Sequence, residues 1–274
     1  FYKAARAADI HPIIGVEFFM AIDKRTDRRP TIDHQVYHLV LLAENQEGYQ
    51  NLLQLVTRSH LEGFYFRPRV DWELLEEHGK GLICLTSGIH GIVPHQLLAG
   101  LQEEAKASLK RFQKLYGQEN VYVELQAHPA LENQNIANRM LAQLASDCDA
   151  QLVATNDVHY PKPEDREAQE VLRCIRENQA WDDPKRMPSV EDFSLKSEEQ
   201  MREEMKHFPG ALERSKEIAS RCQVSFTFGK NLIPPYPTPK GTSAQQYLRQ
   251  LVAEGLCQRY SLPCSAADIV DLRT

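Results

Sequence analysis

Long apolar runs are missing from this 274-residue sequence. No window approaches the roughly eighteen consecutive apolar residues of a membrane-spanning helix, so no membrane partner is expected. The N-terminus shows no charged-then-apolar segment of the kind that directs secretion. Cysteine is sparse: Cys84, Cys148, Cys174, Cys222, Cys257 and Cys264 are scattered, with no close pair at metal-binding spacing. In a chain this long, that pattern reads as reduced thiols in a cytoplasm rather than a disulfide framework. Excess positive charge is also missing. The formal net charge of −6 argues against a surface devoted mainly to gripping a nucleic-acid backbone, and leaves room only for a local basic patch. There is no internal repeat and no low-complexity tract. What remains, 42% apolar and 26% charged, is the composition of a globular chain long enough to bury a sizeable core.

The first residues, Phe1-Tyr2-Lys3-Ala4-Ala5-Arg6-Ala7-Ala8, read as the end of a helix already under way, with no initiator methionine or cap ahead of them. Truncation of a longer protein is the expectation. Apolar runs over residues 12–20, 36–43, 81–86, 121–125 and 152–155 have the composition of buried strands. Between them, Tyr49, Leu52, Leu53 and Val56 recur at helical spacing, as do Leu109, Phe112 and Tyr116 ahead of Gly117, and Ile136, Met140, Leu141 and Leu144. A polar helix is expected from about residue 164 to 176. Strands this apolar, alternating with helices, predict a parallel α/β sheet or barrel. From Ser197-Glu198-Glu199-Gln200, a capping box, the pattern changes to consecutive helices. Four prolines within Asn231–Pro239 predict an extended connector. A new capped helix begins beyond it at Thr242-Ser243-Ala244-Gln245.

Ligand sites in parallel α/β folds collect at the C-terminal ends of strands. Asn156-Asp157-Val158-His159 follows such a strand, and a period of two places Asp157 and His159 on one side. Carboxylate with imidazole suits zinc or manganese. Alone, such a pair is more often a cap or a surface residue than a ligand pair. Glu17 and His38 each stand inside an apolar run, where a polar group must be exposed at an edge, paired or metal-bound. His90, in Thr86-Ser87-Gly88-Ile89-His90-Gly91, is a further candidate ligand. Arg67 and Arg69, beside Gly63-Phe64-Tyr65-Phe66, are candidate phosphate holders. His60, His78, His95, His128, His207 and Glu124 fit no ligand spacing and are read as ordinary.

Taken together and in order, Pro12-Ile13-Ile14-Gly15-Val16-Glu17, His38-Leu39-Val40-Leu41-Leu42-Ala43, Gly63-Phe64-Tyr65-Phe66-Arg67-Pro68-Arg69, Val123-Glu124-Leu125-Gln126 and Thr155-Asn156-Asp157-Val158-His159-Tyr160 are familiar. The chain resembles the PHP domain of bacterial DNA polymerase III alpha (catalytic) subunits. Pro237-Thr238-Pro239 and Tyr247–Leu256 resemble the start of that subunit's polymerase core. The resemblance implies a distorted PHP-type (β/α)7 barrel over residues 1–228, lacking its first strands. Residues 229–274 become the proline-rich connector and first helix of the palm and thumb region. Glu17, His38, Asp157 and His159 match family metal ligands, with zinc or manganese implied. The family's leading His-x-His would lie before Phe1, and its cysteine ligand after Ser-Gly is replaced by Ile89. The domain is thus expected to be a scaffold, or a residual metal-dependent 3′–5′ exonuclease. The implied parent is a DNA-directed DNA polymerase of the cytoplasm, using magnesium at aspartates outside this chain. Its implied partners are DNA, the sliding clamp and a proofreading exonuclease subunit. The alternative is a stand-alone, histidinol-phosphatase-like PHP phosphoesterase, which has no need of the connector and helix after Gly229.

Overall fold

A computed structural model describes residues 1–186, 189–230 and 233–260. Two compact units divide it, Phe1–Ser225 and Phe226–Thr274.

The first unit runs α1 (Tyr2–Ala7), β1 (Gly15–Ala21), β2 (Val36–Ala43), α2 (Gln46–Leu61), β3 (Arg69–Val70), α3 (Trp72–Glu77), β4 (Leu82–Leu85), α4 (Ile92–Leu98), α5 (Gln102–Tyr116), β5 (Val121–Gln126), α6 (Glu132–Asp147), β6 (Gln151–Thr155), α7 (Arg166–Glu177), α8 (Glu198–Glu204) and α9 (Ala211–Arg221). The expected α/β alternation is present. Three short elements, β3, α3 and α4, escaped the sequence patterns because none is long enough to show a period. The strands form one sheet in the order β3-β1-β2-β4-β5-β6.

The sheet is mixed rather than parallel. β2 runs antiparallel to both β1 and β4, whereas β1 with β3, β4 with β5 and β5 with β6 are parallel. The cause lies in the connections. Residues 22–35 join β1 to β2 without a helix, so the chain turns back beside itself, while α4–α5 and α6 supply the crossovers that parallel neighbours require. The reversal has a consequence for chemistry: the start of β2, with His38, lies level with the C-terminal ends of the parallel strands.

Side-chain alternation divides the core. Ile83 and Leu85 pack with Tyr122 and Val153 against Ile218 of α9 and Cys222 just beyond its end. On the other face, α5 and α6 bury Leu109, Phe112 and Leu141. α5 ends where expected, at Gly117 with φ 89°. The capping box at α8 is complete: Gln200 N donates to Ser197 Oγ at 3.3 Å, and Ser197 N donates to Gln200 Oε1 at 2.7 Å. Ser197→Ala is expected to cost about 1 kcal/mol, read as a lower urea midpoint at unchanged slope.

In the second unit, 233–239 has no regular structure and α10 spans Ala244–Tyr260. Its start is capped as expected, with Gln246 N donating to Ser243 Oγ at 3.3 Å. Asn231 and Leu232 of the expected connector, and residues 261–274, lie outside the described residues.

Candidate functional site

Glu17 lies opposite Val40 and Phe19 opposite His38, so Glu17 and His38 are diagonal neighbours on one face of the β1–β2 pair. Their side chains meet, with His38 Nδ1 2.6 Å from Glu17 Oε1. That hydrogen bond is the main cause holding the Glu17 carboxyl below its ordinary pKa. Burial opposes it, and the charges of His38, His90 and His159 add to it. Phe19 steadies the imidazole edge-on, with ring centroids 5.1 Å apart. His90 joins from the loop after β4: its carbonyl accepts from His38 N at 2.8 Å, and the two rings lie 5.3 Å apart. Burial and the neighbouring His38 push the His90 pKa down, against the pull of Asp157 and Glu17.

Asp157 and His159 come together as expected, though not by strand alternation. β6 ends at Thr155, and Asp157 adopts a left-handed φ of 48°. This turn, tolerable for aspartate, leaves Asp157 Oδ1 3.3 Å from His159 Nε2. Phe193 stacks on the His159 ring at 4.7 Å and 18°. It is held there by its own carbonyl, which accepts from His159 N at 2.9 Å.

Two residues read as ordinary belong to this region. Glu124, on β5, is buried, and its Oε1 accepts from Thr155 Oγ1 at 2.6 Å. Its Oε2 has no partner among the described residues. Burial pushes its pKa up to about 7, helped by the negative charges of Asp157 and Glu17 and opposed by Thr155 and Gln126. His128 is 2% exposed with both ring nitrogens unpartnered, and its Nε2 lies 3.9 Å from Asp157 Oδ2. Burial pushes its pKa down. Glu124 was detectable, since it interrupts an apolar strand as Glu17 does. Nothing local marks His128, which burial alone singles out.

Imidazole and carboxylate are the donors zinc or manganese would take, and a closed centre needs three or four of them around one point. Among the described residues, no group of three His, Cys, Asp or Glu side chains is so arranged. Glu17 with His38 and Asp157 with His159 satisfy each other as pairs, and Ile89 has nothing to coordinate with. The described residues thus complete no three-donor centre among themselves.

The phosphate reading of Arg67-Pro68-Arg69 needs correction at Arg69. Its guanidinium is fully buried and donates to the carbonyls of Gly63, Asp33, Arg25 and Asp27 at 3.1, 3.0, 2.8 and 2.7 Å. Four of its five N–H groups are thus spent on backbone carbonyls, and full burial keeps an anion from the fifth. Arg67 is exposed and lies 4.7 Å over the Phe19 ring.

Residues 1–128 match the family described as the PHP domain. The chain is 39% identical over 265 residues to the DNA polymerase III subunit alpha of Treponema pallidum, covering 96% of this chain and 23% of that protein. The protein of the same name from Borreliella burgdorferi is 39% identical over 264 residues, covering 95% of this chain and 23% of its own length. That from Thermus aquaticus is 38% identical over 269 residues, with 95% and 22% covered. The chain thus spans under a quarter of the length of these relatives.

Proposed function

We propose that this chain, a homologue of one segment of the DNA polymerase III alpha subunit with a PHP domain at its start, is the PHP region of a replicative polymerase, in which the PHP domain is a scaffold rather than a nuclease. One observation carries the scaffold reading: the four matched ligand residues are satisfied in two pairs, and none of the further groups nearby completes a three-donor set. Homology over some 95% of the chain supports the polymerase parent. On this reading residues 1–228 are the PHP domain, and 229–274 form the connector and the first helix toward the palm and thumb. The parent synthesises DNA in the cytoplasm, with magnesium bound by aspartates elsewhere in the subunit. Its partners are DNA, the sliding clamp and a proofreading subunit.

The test joins metal analysis after dialysis to an end-labelled single-strand digestion assay and a primer-extension assay. Substoichiometric zinc or manganese, no digestion and no extension are expected from the purified chain. Several tightly held ions per chain, with digestion abolished by Asp157→Asn, would overturn the scaffold reading. Template-dependent extension by this chain alone would overturn the division into domains.

A further inference from the structure

One face of α5 is strongly cationic in a chain whose net charge is −6. Lys106, Lys110 and Lys114 follow one another at intervals of four, and Arg111 borders them. Ala105, Leu109, Phe112 and Tyr116 bury the opposite side and so fix the row outward. Lys110, Arg111 and Lys114 are exposed and Lys106 partly so. The helix has acidic residues only in its first turn, Glu103 and Glu104, where they complement its N-terminal dipole.

Some other cations on or beside helices have a carboxylate one turn away, as in Arg58–Glu62, Arg202–Glu198 and Lys206–Glu203. Arg111 has Glu76 at 3.0 Å, and its guanidinium lies 4.3 Å over the Trp72 ring. Lys106, Lys110 and Lys114 make no ion pair within 4.0 Å among the described residues. Like charges at this spacing repel by a few tenths of a kcal/mol, which an anionic partner would relieve.

Two features choose the partner. No residue of α5 is among the exposed large apolar side chains. A protein partner needs an aromatic or aliphatic anchor at the centre of its footprint, and a single strand needs aromatic rings on which bases stack. A duplex backbone needs neither. It needs mobile point charges facing a dense line of phosphates, which lysines supply. We propose that this face of α5 binds the phosphate backbone of double-stranded DNA without reading sequence. The proposal is independent of the scaffold reading, since no residue of the Glu17–His159 region lies on α5.

The test is fluorescence anisotropy of a labelled mixed-sequence duplex titrated with this chain over a series of KCl concentrations. The triple variant Lys106→Gln/Lys110→Gln/Lys114→Gln is compared with Lys24→Gln/Lys185→Gln/Lys216→Gln, which removes the same charge from exposed sites elsewhere. Wild type and control are expected to bind alike. The α5 variant should bind at least about tenfold more weakly at low salt, with a log–log salt slope shallower by about 2 to 3, as three phosphate contacts require. Equal losses in both variants would reduce the effect to net charge and overturn the proposal. So would salt-insensitive or absent binding by the wild type, or binding of the corresponding single strand as tight as that of the duplex.

Discussion

Replacing Arg69 by leucine is expected to remove about 3–5 kcal/mol of stability, the range for stripping one member from a buried charged network. The guanidinium reaches four carbonyls contributed by two separate stretches of chain, Gly63 on one side and Arg25, Asp27 and Asp33 on the other. It thereby pins the helix-free link between β1 and β2 against β3. Burial pulls its pKa below the usual guanidinium value, and the charges of Asp33 and Asp27 pull the other way. Leucine would fill part of the volume but leave four acceptors without their donor, each costing on the order of 1–3 kcal/mol unless water reaches it. Arg69→Lys should recover less than half of the loss, because an ammonium cannot reproduce the planar fork. Arg67→Gln, two residues away and exposed, should stay within about 0.5 kcal/mol. Urea denaturation of the three variants decides it. A small loss at Arg69 would mean that the link between β1 and β2 is held by something else.

Gly48→Ala should destabilise by about 3 kcal/mol, against the sign that helix propensity alone predicts. In an exposed helix, glycine to alanine gains up to about 1 kcal/mol. Gly48 lies in the first turn of α2, where its N–H donates to Asn45 Oδ1 at 3.0 Å. A methyl group there would meet the Gly81 carbonyl oxygen at 1.8 Å. That oxygen is backbone, and it already accepts from Glu44 N at 3.0 Å, so it cannot swing aside without loosening the approach of β4 to α2. Gly81 cannot easily yield either, because it holds φ +72° and its own added Cβ would lie 2.7 Å from Gly48 N. Overpacking of this kind typically costs about 1–3 kcal/mol, and the rigid contact places it at the upper end. A thermal melt that rises, or stays unchanged, would show that α2 can shift to make room.

Much of the candidate site was legible because it depends on local order. Glu17 and His38 stood out as polar residues within apolar runs, and Asp157 and His159 as a ligand-type pair just past a strand. Each pair does meet in space. The reason for the second meeting was not legible: it is a left-handed turn at Asp157, not strand alternation. Glu124 and His128 were passed over because their character comes from burial, which spacing does not report. The two arginines of Arg67-Pro68-Arg69 look alike in sequence and have opposite fates, one buried among carbonyls and one exposed.

The sequence by itself determined the succession of elements. Apolar runs, helical periodicity and caps act over a few residues, and so β2 at Val36–Ala43, the end of α5 at Gly117 and the box at Ser197 lie where the residues alone put them. Only the tertiary structure decided the direction of β2, the neighbours of Arg69 and the pairing of Glu17 with His38. The physical reason is common to all three. Strand pairing and buried electrostatics are set by groups brought together from distant parts of the chain, and no short-range pattern encodes which groups those will be.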